Sequence, residues 1–378
     1  MKNIIYYIIV LLLFSSSASA QKKIKNMQWK IAATLPGLQG TQSLGFAGPV
    51  SGVCNQIFMV AGGANFPGSP PWQGGKKKFY NEVFLYACKG DTLQLLNQQA
   101  TLPYPISYPA CCTTAKGVFY AGGENENGIS AKAWLIQWDN ETQKIIFNNL
   151  PDLPVPVTNA AATVIENIVY VAGGETTMQA TAQWQCLDLN NTKDGWKQLA
   201  DIPHAVSNMV LAATDDDQII LAGGRKKNKN GISDLYAEVY AYSPSHNKWE
   251  SKAPLPYALS AATGISYKNG KLLVFGGDQG TTFHQVETTL AAIFTEEDEI
   301  KKQELIRKKN TLLSQHPGFS KEILQYSLAS NTWKATGKIP FNTPVTTVAV
   351  KYGNCVMIPS GEIKAGVRSP YILELRLK

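Results

Sequence analysis

An apolar strand ending in a glycine pair recurs along this chain, and that recurrence limits the fold more than any other feature. The copies are IFMVAGG ending at Gly63, VFYAGG at Gly123, IVYVAGG at Gly174, IILAGG at Gly224 and LLVFGG at Gly277. A sixth copy, CVMIPSG, ends at Gly361 and carries Ser360 in place of the first glycine. The spacing is roughly fifty to sixty residues, except before the last copy, where an insertion lengthens it. Each copy has the same surroundings. A strand of small residues precedes it, as in Asn159–Val164, and a polar loop and an alternating strand follow, as in Val83–Tyr86, Val239–Tyr242 and Ile323–Tyr326. A tryptophan strand then runs into a Leu-Pro or Ile-Pro turn: Trp196 before Ile202-Pro203, Trp249 before Leu255-Pro256, Trp333 before Ile339-Pro340.

Each unit therefore reads as four strands. A sheet of that size has two apolar faces and cannot bury both alone. Stacking the units radially about an axis solves this, so the sequence predicts an all-β, six-bladed β-propeller. The glycine pairs suit strands whose backbones crowd together near the axis, and the tryptophans suit gaps between outer strands. The sixth unit runs from about Thr343 through Ser360-Gly361 to Tyr371–Leu375 and then lacks a tryptophan strand. Trp29–Pro36 at the other end of the chain supplies one. The last blade is thus expected to be closed by an N-terminal strand, which removes an open edge.

Residues 281–321 interrupt the pattern. Val286 to Gln315 is rich in Glu, Lys, Leu and Ala, lacks Gly and Pro, and reads as helical, with a partial apolar stripe of Leu290, Ile293, Phe294, Leu305, Leu312 and Leu313. It is either a lid over the axial pocket or an added packing surface. The residue after each glycine pair starts a loop on one shared face: Ala64, Glu124, Glu175, Arg225, Asp278 and Glu362. Such a ring of charges is a candidate ligand site, although loop starts are polar in most proteins. The sixth loop, Ser360-Gly361-Glu362-Ile363-Lys364-Ala365-Gly366-Val367-Arg368-Ser369, packs a carboxylate and two cations together. Glu362 has the chemistry of a general acid/base, and Arg368 that of a planar grip on a carboxylate. The alternative is an internal ion pair that shapes the loop.

Across nearly the whole chain after the leader, the repeat resembles the kelch family of propellers. The Glu362–Arg368 loop resembles that of the bacterial N-acetylneuraminate mutarotases, or sialic acid epimerases, which are secreted six-bladed kelch propellers. Gly276-Gly277-Asp278-Gln279 with its helical insertion, and Gly62-Gly63-Ala64-Asn65-Phe66-Pro67-Gly68-Ser69, look like two further loops of that family. In family members the Glu–Arg loop falls mid-chain. Here it falls at the C-terminus, as in a cyclically permuted branch. The resemblance implies an isomerase that interconverts the α and β anomers of N-acetylneuraminate, with Glu362 moving protons at the anomeric centre and Arg368 holding the sugar carboxylate. Substrate contacts are expected from Arg225, Asp278, Gln279, Asn65, Glu124 and Lys364. The family has an arginine in the turn before one inner strand. Pro203–Asn208 here has none, so that ligand contact is either lost or supplied elsewhere, for example by Arg225.

Mutarotation needs no cofactor and no metal, and none is expected. A copper radical oxidase would need histidine ligands, and the chain has only His204, His246, His284 and His316. The repeated S-x-D-x-G-x-T-W turn of sialidase propellers is absent. The main rival is a non-catalytic propeller that binds a sugar or a protein through its loops. The net charge of +7 is mild and scattered. It accords with a small anionic sugar as partner and is weak support for nucleic acid. Lys76-Lys77-Lys78 and Arg225-Lys226-Lys227 read as solvated loops. Lys2, the apolar run Ile4–Phe14 and the small residues through Ala18 and Ala20 read as a signal peptide over residues 1–20. The mature chain, residues 21–378, is then expected in the periplasm, off the membrane. Cys54, Cys88, Cys111, Cys112, Cys186 and Cys355 show no metal-finger spacing, and no pairing can be assigned.

Overall fold

The computed structural model describes residues 27–38, 40–89, 92–268 and 270–377. The signal peptide expected at 1–20 lies outside the described residues. Six antiparallel sheets of four or five strands surround a common axis. The first blade is built on Val50–Cys54, Ile57–Ala61, Glu82–Lys89 and Thr92–Leu95. The next four follow the same order. The sixth takes Val350–Tyr352, Cys355–Pro359 and Tyr371–Leu377 from the C-terminus. Its outer strand is Met27–Thr34, antiparallel to Tyr371–Leu377, with Trp29 opposite Leu375. The closure expected from the tryptophan count is therefore present.

The blades bury their faces against one another. Met59 and Leu85 of the first blade share a cluster with Tyr120 and Trp138 of the second. Tyr170 and Trp184 of the third share one with Leu221 and Tyr242 of the fourth. The outer-strand tryptophans also bridge blades by hydrogen bonds. The indole N–H of Trp196 donates to the Pro151 carbonyl at 2.8 Å, that of Trp249 to Ala200 at 3.0 Å, and that of Trp333 to Ala253 at 2.9 Å. Each pairs with the end of the preceding blade.

The glycine pairs lie elsewhere than expected. The innermost strand is the small-residue one, such as Ala110–Thr114 or Val210–Ala213, and these strands line a narrow axial channel. The glycine pair follows the second strand, where the chain leaves the blade at its top. Gly223 and Gly224 have φ of +63° and +105°, and a Cβ on Gly223 would stand 2.4 Å from the Leu259 carbonyl of the next blade. That close approach is useful, because the Gly224 N–H donates to the same carbonyl at 2.8 Å. Equivalent bonds run from Gly63, Gly123 and Gly174, and Gly361 donates to Phe46 of the first blade. Ser360 adopts the left-handed conformation without being glycine. Its buried hydroxyl accepts from the Phe46 N–H and donates to the Ser369 carbonyl, both at 2.7 Å.

The insertion is two helices rather than one: α1 (Thr281–Thr295) and α2 (Glu299–Ser314). Asp298 starts the second by accepting from the N–H groups of Ile300 and Lys301. That capping signal, with no Gly or Pro beside it, separates the two helices. The expected apolar stripe is only partly used, since Leu290 and Phe294 remain exposed. One residue, Ser233, fastens α1 to the fourth blade. Its N–H and hydroxyl both donate to the buried Glu287 carboxylate, at 2.8 and 2.7 Å, and its carbonyl accepts from His284 Nε2 at 2.9 Å. Among the described residues no helix is long and apolar enough to cross a membrane.

Candidate functional site

One residue from each blade builds the floor of the site. Gly48, Tyr108, Asn159, Asn208, Ala261 and Thr346 all have φ between 50° and 61°. Each of the last five donates its backbone N–H to the carbonyl of the one before it, and Gly48 donates to Thr346 at 2.7 Å, so the bonds form a closed ring. Asparagine tolerates this left-handed backbone better than most residues. At Tyr108, Ala261 and Thr346 the closed ring holds the strained conformation in place.

A second ring surrounds the first. The residues just before the floor positions exchange two backbone hydrogen bonds each with Ala64, Glu124, Glu175, Arg225, Asp278 and Glu362. The six loop-starting positions picked out in the repeats therefore stand in register around one mouth. The backbone places them, and their side chains do not contribute to it.

Over this floor lies a cavity of about 370 Å³. Glu124, Arg225, Asp278 and Glu362 line it from the second ring, and α1 contributes Phe283 and Val286. The insertion thus contributes part of the cavity wall. Three cation–carboxylate pairs mark the site: Lys77–Glu124 at 3.0 Å, Arg225–Glu175 at 3.2 Å and Arg368–Glu362 at 3.6 Å. Glu175 also accepts from the Ser207 hydroxyl at 2.7 Å, and Arg225 lies over the Phe283 ring at 5.1 Å. Burial alone would lower the Lys77 ammonium. Tyr108 and Glu124 more than offset that, so its pKa is raised and the cation is kept.

Glu362 reaches the cavity. One of its oxygens accepts the Gly366 N–H at 2.6 Å, and the other faces Arg368. Arg368 is buried and does not line the cavity. Its guanidinium lies over Phe66 at 4.9 Å, Nε donates to the Ala64 carbonyl at 3.3 Å, and one Nη has no protein partner. Of the other expected contacts, Arg225, Asp278 and Glu124 line the cavity. Asn65 does not: its amide spans the Gly45 carbonyl and the Tyr80 hydroxyl and holds a loop together. Gln279 is exposed, beside Tyr257, and Lys364 is exposed on the Glu362 loop.

Sequence reasoning missed several wall and floor residues. Lys77, read as part of a solvated run, is on the wall, and Tyr108, Asn159 and Asn208 are on the floor. Phe283, His316 and Phe319 arrive with the insertion. A positive-φ residue before each inner strand leaves no fixed letter in the repeat, so no motif marked these positions. Among the described residues, no group of three or more His, Cys, Asp or Glu side chains is arranged to hold a metal ion.

A model of the N-acetylneuraminate epimerase family matches residues 150–378, the stretch from the third blade to the C-terminus. The N-acetylneuraminate epimerase of Haemophilus influenzae (strain PittEE) is 31% identical over 225 residues, covering 58% of this chain and 57% of the relative. That of Salmonella typhimurium (strain LT2) is 27% identical over 226 residues, covering 59% and 57%. The chain spans a little over half the length of the curated relatives it matches. Glu362 and Arg368 both fall within the stretch that the family model matches.

Proposed function

The chain belongs to the N-acetylneuraminate epimerase family, and on that footing we propose that it is an isomerase interconverting the α and β anomers of N-acetylneuraminate. The observation that carries the reading is the position of Glu362: a carboxylate on the wall of a sugar-sized cavity, aimed by a backbone N–H and backed by a guanidinium. In the proposed reaction Glu362 takes the proton of the anomeric hydroxyl as the bond from the anomeric carbon to the ring oxygen breaks. The same proton returns to the former ring oxygen, leaving an open-chain ketone. Rotation about the adjacent carbon–carbon bond and the reverse steps close the ring on the other face. No net proton is gained or lost.

The substrate carboxylate is assigned to Arg225, the guanidinium that lines the cavity, with Arg368 supporting Glu362 from behind. Arg368 stands behind Glu362, with an Nη 3.6 Å from the carboxylate. A family match that runs from residue 150 to residue 378 supports the permuted order, because a linear comparison ends where blade order breaks. The leader-like residues 1–20 support export to the periplasm. Cell fractionation that finds the full-length chain in the cytoplasm would overturn that part.

Proton NMR of freshly released α-N-acetylneuraminate tests the activity. The wild type is expected to speed conversion to the β anomer, and Glu362→Gln to leave the spontaneous rate. A wild type that leaves that rate unchanged refutes the mutarotase reading and favours a binding propeller.

A further inference from the structure

His316 follows α2 at the end of the insertion, on the wall of the cavity, and the proposed proton transfer does not use it. It is 5% exposed. Its Nδ1 accepts the Gly318 N–H at 3.0 Å, and its ring packs on Phe319 at 5.0 Å. An Nδ1 that accepts a backbone N–H must keep its lone pair, so the ring's single proton resides on Nε2. The imidazole is therefore fixed in one tautomer, with an Nε2–H that has no acceptor among the described residues.

The neighbours say where it works. Asp278 from the loop before α1, with Glu362 and Lys364 from the sixth-blade loop, are the charges that act on His316. Gly318, two residues on, approaches the Ile363 carbonyl, directly after Glu362. Burial lowers the His316 pKa below its ordinary 6.5, against the opposing pull of Asp278 and Glu362. Protonating Nδ1 would also set two N–H groups against each other at Gly318. Both effects keep the ring neutral.

We propose that the His316 Nε2–H is the hydrogen-bond donor to the sugar ring oxygen, the atom that gains negative charge as the ring opens. The inference rests on the mutarotase reading. His316 keeps its proton throughout. Glu362 carries the one proton that moves, and the imidazole lowers the energy of the oxygen while it is charged. A neutral histidine suits this role because its donor does not titrate near neutral pH. The cations on the wall, Lys77 and Arg225, are each already bonded to a carboxylate.

The test compares mutarotation by wild type, His316→Phe and His316→Gln, reading kcat and KM by proton NMR. Phenylalanine keeps the ring and the burial but removes the donor, whereas glutamine keeps an amide donor at similar reach. The phenylalanine variant is expected to lose roughly ten- to hundred-fold in kcat with little change in KM, and the glutamine variant to recover part of it. An active wild type with an unimpaired phenylalanine variant refutes the role of His316 and leaves the mutarotase reading intact. An inactive wild type removes both. If His316→Phe does not fold, the nitrogen-15 spectrum of wild-type His316 decides. A bare Nδ1 and a protonated Nε2 whose resonance moves on adding N-acetylneuraminate support the proposal. A protonated Nδ1, or an Nε2 unmoved by the sugar, overturns it.

Discussion

Replacing Glu287 by alanine removes two of the three hydrogen bonds that α1 makes with Ser233. Glu287 is 8% exposed and accepts two hydrogen bonds from Ser233, at 2.8 Å from the N–H and 2.7 Å from the hydroxyl. Hydrogen bonds to a charged group contribute about 1.5–3 kcal/mol each, and the two share one acceptor group, so the loss is expected near 3 kcal/mol. Unfolding entropy of about 2.1 cal/mol/K per residue, over some 350 ordered residues, makes each kcal/mol worth about 1.4 °C in Tm. Glu287→Ala should therefore lower Tm by about 4 °C. Glu287→Gln keeps an acceptor and should cost roughly half as much, and Ser233→Ala, which removes only the hydroxyl, about 1 kcal/mol. The loss should also reach the site. Phe283 lies one helical turn before Glu287 on the same face of α1 and covers Arg225, so KM for the sugar should rise when the helix loosens. Differential scanning calorimetry gives the stability and proton NMR the KM. A Glu287→Ala protein within about 0.5 kcal/mol of wild type, with KM unchanged, would refute the view that this one residue holds the wall in place.

Two further outcomes are expected. Gly223→Ala meets both a +63° φ and a carbonyl at 2.4 Å, so it should destabilise by more than about 2 kcal/mol in urea unfolding. Gly231→Ala, with a φ of +83° but open space around it, should cost about 1 kcal/mol, and equal costs would contradict the close-approach argument. For His316 the folded pKa lies below the unfolded value, so the unfolded chain takes up the proton first as pH falls. The stability due to its neutral ring is complete above about pH 6.5 and is lost as pH drops towards the folded value. Between about pH 7.5 and about pH 5.5 wild type should therefore lose more stability than His316→Phe, and parallel curves would contradict the assignment.

The blade count, the order of strands and the closing N-terminal strand were legible because they depend on local patterns: alternation, a glycine pair and a tryptophan before a proline turn. Burial between blades uses those patterns directly, as the pairing of Trp29 with Leu375 illustrates. The ring of loop starts was legible too, because each is displaced by a constant offset from a repeated motif. Glu124, Arg225, Asp278 and Glu362 reach the cavity for that reason. Asn65 and Gln279 were expected there and are not, because their side chains are directed by loop contacts that no repeat encodes.

What the sequence by itself determined is the propeller and the register of its loops, since period and side-chain size act over a few residues at a time. Only the tertiary structure decided what stands around the mouth. Lys77 pairs with Glu124 across blades, Ser233 captures a helix from an insertion some fifty residues away, and His316 is turned to the cavity by a backbone N–H. Those contacts arise from ring closure, which brings together residues whose separation along the chain carries no signal.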